Sequence, residues 1–170
     1  MNRLSAWLVT EVGQKFAYFA AGTVTTGVLC AHILPHTIFL DKYQDFMRLY
    51  KKGFAVTLPQ NVHERFQKTL DLLQVDSQDK HLFKPFAAYG FDIFSAGSSY
   101  SKFGVIVGIP ANFLYEDESS VDKHAIKIRQ ETIPWELDEG KLLQKSLLLS
   151  EKAQMYAMAR EIKYRDTPKQ

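Results

Sequence analysis

The stretch "FAYFAAGTVTTGVLCAHIL", residues 16–34, runs for 19 positions without Lys, Arg, Asp or Glu. Its reading decides between a freely soluble domain and one tethered to a bilayer. A membrane-spanning helix needs about 20 predominantly apolar residues. Three threonines, two glycines and His32 dilute the run, yet small residues are tolerated in membrane helices because they let backbones approach. The favoured reading is a membrane span. Its competitors are a cleaved secretory signal and the buried core helix of a soluble protein. The stretch is long for the apolar region of a signal, and no Ala-x-Ala site with a polar start follows near Pro35.

Upstream lie Arg3 and Lys15 with Glu11 between them, and downstream come Lys42, Arg48, Lys51 and Lys52. Counted by the positive-inside rule, these place the C-terminal side on the charge-retaining face. His32 and His36 have the i, i+4 spacing of a metal pair on a helix, but Pro35 between them disturbs that geometry. The two histidines are expected to mark the interfacial end of the span.

A chain of 170 residues, 46 % apolar and 24 % charged, has the composition of one folded domain. Its 21 basic and 19 acidic residues leave a formal charge of +2, too balanced to attract nucleic acid, which is not an expected partner. Cys30 is the only cysteine, so an intramolecular disulfide and a cysteine-based zinc cluster are both excluded.

Beyond the span, Tyr43, Phe46, Met47 and Tyr50 recur at helical spacing in "DKYQDFMRLYKK". Thr57 and Gln60 form a capping-box signal for a second helix reaching roughly Val75, with Val62, Phe66, Leu70 and Leu73 on one face. The pattern then turns to alternation. "AYGFDIF" predicts a strand with Tyr89, Phe91 and Ile93 on one side, "SAGSSYSK" a turn-rich connection, and "FGVIVGI", residues 103–109, a central strand that Pro110 stops. "YEDESSVDK" reads as a flexible charged loop, and "AIKIRQETI" as a third strand near an edge. A last helix is expected to start near Ser150, its N-cap, burying Met155, Met158, Ala159 and Ile162. The fold class is therefore α+β: an N-terminal transmembrane helix followed by a small domain of helices and a sheet of three or more strands. Its parts are an N-terminal segment over residues 1–40 with the span at about 16–34, the α+β domain over 41–165, and a polar tail over 166–170.

That last helix holds "REIKY", Arg160 to Tyr164, one residue type away at each end from the His-Glu-x-x-His of zinc peptidases. Both ligand positions are lost, and a guanidinium repels a metal ion. Glu161 alone keeps its place, and Arg165 four residues on offers it an ordinary ion pair. No Gly-rich phosphate loop and no nucleophile elbow occurs. Neither catalysis, a cofactor nor a metal is expected.

Several short strings, in order, resemble the transmembrane protein 177 family: "KPF" at 84–86, "SAG" at 95–97, "VGIPANFL" at 107–114, "IPW" at 133–135 and "LLLSEKAQMYAMAREIKY" at 147–164. The resemblance implies a protein of the mitochondrial inner membrane, not an enzyme, that supports early maturation of cytochrome c oxidase subunit 2. Its implied partners are the membrane, that subunit and the subunit's assembly chaperone. It also implies that Lys42 onward faces the intermembrane space, against the charge count, and that two further spans follow the "AREIKY" helix, which this sequence, ending at Gln170, does not include. A more distant likeness, of strands leading to a helix with a central Glu, is to membrane-linked zinc peptidases. It supplies the alternative reading, a zinc-peptidase-like tethered hydrolase or a degenerate pseudo-peptidase binding domain. Candidate interaction residues are Lys84, Pro85 and Phe86, a Pro-fixed aromatic after a charged loop, and then Arg160 and Glu161.

Overall fold

The computed structural model describes residues 3–123, 126–128 and 131–166. A short helix α1, Arg3–Leu8, turns into a long helix α2, Glu11–Ile33. Thr10 caps α2 by accepting from the Gly13 amide at 3.1 Å. The turn is close enough that a Cβ on Gly13 would lie 2.1 Å from the Trp7 carbonyl oxygen. At 1.5 Å per residue the 23 residues of α2 extend about 35 Å, enough to cross a bilayer core of about 30 Å. Over Glu11–His36 the chain is long and apolar enough to cross a membrane, and none of that apolar window is buried inside the fold. The core-helix reading does not fit this fold, in which the apolar window is left uncovered and only the ends of the segment meet other residues, Phe16 meeting Trp7 and His32 the cavity below.

The joint below α2 is short and tied down. Pro35 sits in a single tight turn, Leu34–His36; the amides of Phe39 and Leu40 bond back to the carbonyls of Leu34 and Thr37 at 2.9 and 3.1 Å. Leu40, which opens α3 (Leu40–Met47), is 3 % exposed and anchors the joint in the domain core.

The domain is built on a three-stranded sheet of β3 (Phe83–Ala88), β4 (Phe94–Ser98) and β5 (Gly104–Pro110), in the order β3-β5-β4. The strand β5 runs parallel to β3 and antiparallel to β4, and every one of its residues is buried. It separates two cores. Val105, Val107 and Ile109 face α4 (Gln60–Leu72) and α6 (Glu151–Asp166), meeting Phe66, Leu70, Met158 and Ile162. Ile106 faces the other way, with Phe86, Ala88 and Ala96, toward Leu40, Tyr43 and Met47 of α3. A sheet covered on both faces requires such a continuous apolar strand. A third, smaller cluster joins Val121, Ile126 and Trp135 to Leu147 of α5, Asp138–Leu147.

The α+β class stands, but several elements differ from expectation. The strand assigned to "AYGFDIF" is a turn: Gly90 has φ +111°, while Tyr89 and Phe91 are exposed. "FSAGS" is itself an inner-packed strand, not a connection. The capping box at Thr57 does not form; Pro59 occupies the N-cap, and Asn61 Oδ1 accepts from the Val62 amide. Helix α5 carries no expected counterpart. The third strand is β6 (Lys127–Ile128), paired only with β7 (Glu131–Thr132) outside the main sheet; the side chains at 127–130 lie outside the described residues. Another two-residue hairpin, β1 (Tyr50–Lys51) with β2 (Phe54–Ala55), turns through Lys52 and Gly53 at positive φ. The loop after Tyr115 is also better held than a flexible loop would be, since Ser120 Oγ accepts from the Glu116 and Asp117 amides and Gln144 Nε2 donates to the Glu118 carbonyl.

Candidate functional site

Register places Ser95 opposite Val107, so its hydroxyl points from β4 toward α6. There it donates to Glu161 Oε2 at 2.8 Å and accepts from Arg165 Nε at 3.0 Å. Arg165 Nη2 also donates to the Ser95 carbonyl. Glu161 and Arg165 are thus linked through a serine and not paired directly, as their i, i+4 spacing had suggested. The carboxylate's ion pair is with Arg160, Nη2 to Oε1 at 3.0 Å. A side chain engaged by two partners is a strut between sheet and helix. In the geometry of a zinc peptidase it would instead have to face an open metal position. Arg160 and Tyr164, at the two lost ligand positions, are exposed. Among the described residues no cluster of three or more His, Cys, Asp or Glu has the arrangement of a metal site.

Lys84, Pro85 and Phe86 lie together in β3, at the sheet edge. Lys84 is exposed, and Phe86 is 6 % exposed, its ring 5.9 Å from that of Phe94 in the α3-side core. Pro85 needs no ladder partner for the amide hydrogen it lacks, which an edge strand permits. Farther along, that edge is partly occupied, since the Leu49 amide donates to the Ala87 carbonyl at 2.8 Å and the Tyr89 amide to that of Met47 at 2.9 Å. Lys84, Pro85 and Phe86 lie on one edge strand, whereas Glu161 reaches the sheet from α6 through Ser95 on the opposite edge strand, so the structure does not bring the two candidate groups into one site.

One concave feature was not foreseen. A cavity of about 440 Å³ opens where the end of α2 meets the domain, with His32, His36 and Thr37 on one side, Ser98 and Tyr100 on another, and Arg165 on α6 closing it. Tyr100 Oη donates to the Asp166 carbonyl at 2.9 Å and Ser99 Oγ to that of Arg165 at 3.2 Å, so the turn after β4 is fastened to the end of α6. The signal in the sequence was the serine-rich "SSYS" itself, whose hydroxyls satisfy a helix terminus. Away from this region, a cavity of about 300 Å³ lies beside Tyr115, whose hydroxyl is pushed above its ordinary pKa by burial and by the charge of Asp122, against the lowering effects of a backbone hydrogen bond and of Lys51.

Comparison with known proteins gives one consistent result. Transmembrane protein 177 of Homo sapiens is 34 % identical over 133 residues, covering 78 % of this chain and 40 % of its own length. The Danio rerio protein of the same name is 31 % identical over 138 residues, 80 % of this chain and 44 % of its own. The Xenopus laevis one is 26 % identical over 160 residues, 93 % of this chain and 51 % of its own. The chain therefore spans about half or less of the length of the curated relatives it matches. No family model and no solved structure matches it.

Proposed function

The chain is similar to transmembrane protein 177 along 78 % or more of its length, and from that premise we propose that it acts as a non-catalytic mitochondrial inner-membrane factor supporting early maturation and stabilisation of cytochrome c oxidase subunit 2 with its assembly chaperone. The similarity and the bare apolar helix together support a membrane protein. The observation that carries the reading further is the joint: α2 passes into the domain through one tight turn and the buried Leu40. A domain held so closely cannot wander from the bilayer surface, and its surface meets membrane-embedded clients that diffuse in the same plane. Binding then gains from the reduced search, as any tethered association does. In this reading the domain faces the intermembrane space.

The test is to express the 170-residue chain with a tag, isolate mitochondria, and crosslink before pull-down. Recovery of oxidase subunit 2 or its chaperone supports the proposal. Their absence, with the protein shown to be inserted, overturns it for this portion of the family's length. The non-catalytic part fails separately if the purified chain holds one tight equivalent of zinc that Glu161→Gln removes.

A further inference from the structure

The cavity at the foot of α2 has a position, a charge and a size that point to one class of ligand. Its position follows from the candidate span, Glu11–His36, ending at His36: where that segment crosses a bilayer, the cavity lies at headgroup depth. Its charge follows from the lining, which among the described residues includes the guanidinium of Arg165 and no aspartate or glutamate. Among the described residues, Arg165 makes its hydrogen bonds through Nε and Nη2, both to Ser95. Glu161, beyond Ser95, is paired with Arg160, so two guanidinium groups stand against one carboxylate. The Ser98 hydroxyl, which accepts from the Tyr100 amide and keeps its own hydrogen, adds a donor at the same opening. A guanidinium and a hydroxyl at one opening are the chemistry that recognises phosphate oxygens. At about 440 Å³ the space is that of an ordinary ligand pocket and more than inorganic phosphate fills, while Ile33 and Gly97 give it an apolar wall.

We propose that this cavity binds a phosphate-bearing anion, the headgroup of an anionic membrane phospholipid being the source its position favours. The inference rests on the reading of Glu11–His36 as a membrane span. It assigns a ligand to the joint itself: the headgroup would sit between α2 and the domain and set the angle at which the domain meets the membrane.

The test uses the full 170-residue chain purified in detergent micelles, with native mass spectrometry counting retained molecules. Three probes are compared: phosphatidylglycerol, phosphatidylcholine and inorganic phosphate. Retention of phosphatidylglycerol over phosphatidylcholine is expected, weakened about tenfold by Arg165→Gln, as loss of one charge-assisted hydrogen bond implies. Because Arg165 also braces Ser95, Thr37→Glu serves as a second variant. It adds a carboxylate to the cavity wall at a half-exposed position and is expected to weaken binding by at least as much. Lys152→Gln, which removes a charge from the exposed start of α6, is expected to change nothing. Equal retention of inorganic phosphate, displacing the lipid, supports the phosphate site and moves its source from bilayer to solution. Lipid retention unchanged in both cavity variants, or reduced equally by Lys152→Gln, overturns the proposal. Carbonate extraction of the chain from vesicles separates the two failures: a chain that resists extraction but shows no lipid preference refutes the site alone, whereas an extracted chain refutes the span and the site with it.

Discussion

Helix α2 and strand β5 are the two most apolar segments of the molecule, and they end in opposite environments. All seven residues of Gly104–Pro110 are buried, whereas in Glu11–Ile33 Gly13 alone is buried, and Phe19, Val24 and Val28 are between 63 % and 74 % exposed. Composition does not separate them; length and geometry do. Seven residues of strand extend about 23 Å, a distance that two neighbouring strands and three helices can cover completely. Twenty-three residues of helix present apolar side chains all around a rod of about 35 Å, more than a domain of this size can wrap. What covers such a rod must come from outside, and a bilayer is the solvent that matches its length.

The comparison can be broken by putting the same kind of defect into each segment. Val107→Asp places a carboxylate in the core between the sheet and helices α4 and α6, where Val107 is 0 % exposed. It is expected to cost more than ~4 kcal/mol and to abolish cooperative melting of the domain, read by circular dichroism. Val24→Lys, at the middle of α2, is expected to leave that melting transition within about 0.5 kcal/mol of the parent but to cost roughly 2.5–3.5 kcal/mol of membrane insertion, read as increased carbonate extraction. If Val24→Lys lowers the melting temperature as Val107→Asp does, α2 is covered by the protein and the contrast fails.

A smaller effect sharpens the reading of β5. A Cβ on Gly108 would lie 2.3 Å from Phe94 Cε1 and 2.9 Å from Ala88 Cβ, and the Phe94 ring is confined by Phe86 and Tyr43 at centroid distances of 5.9 and 6.2 Å. Gly108→Ala is therefore expected to destabilise by about 1–3 kcal/mol, measured by urea denaturation. Phe94→Leu in the same chain should recover part of that loss, because the clash is with the ring; full additivity of the two changes would disprove the contact.

What could be read in advance divides along the same lines. The long run of α2 and the continuous run of β5 were legible because each is a strong pattern over its full length. The helix at Ser150 was legible too, with Ser150 Oγ accepting from the Ala153 amide at 3.3 Å. The sheet's flanking strands were not. "FKPFAA" contains a proline that argues against a strand until its place at the edge is known. "FSAGS" is made of small residues that read as turn, yet is buried because Leu40 crosses close over Gly97. The cavity beside α2 was illegible for a related reason: His32, Ser98 and Arg165 are far apart in the chain, and only the tied joint brings them together. The glutamate of "REIKY" drew attention by its motif, whereas its actual role depends on Ser95, which no local pattern marks.

The smallest expected effect concerns Asp117, in the loop that the sequence reads as flexible and charged. Its carboxyl is held below the ordinary value of 3.8, chiefly by the Ser119 hydroxyl and then by the Ser120 amide, with a small opposing contribution from burial. The Ser119 Oγ donates to Asp117 Oδ1 at 2.6 Å and the Ser120 amide at 2.8 Å, so the ionised form gains both bonds in full. A carboxyl lowered by folding stabilises the folded loop above the unfolded pKa, and that contribution disappears as the pH falls through the folded value. Ser119→Ala removes the largest cause and is expected to raise the Asp117 midpoint toward 3.8, followed by carboxyl-carbon NMR. Because the side chain is fully open to solvent, salt should also weaken the residual shift. A midpoint unmoved by Ser119→Ala would mean that the loop samples other conformations for most of the time and that its order comes from the Gln144 and Asn61 contacts to its neighbours, leaving the apolar segments alone to define the rigid part of the domain.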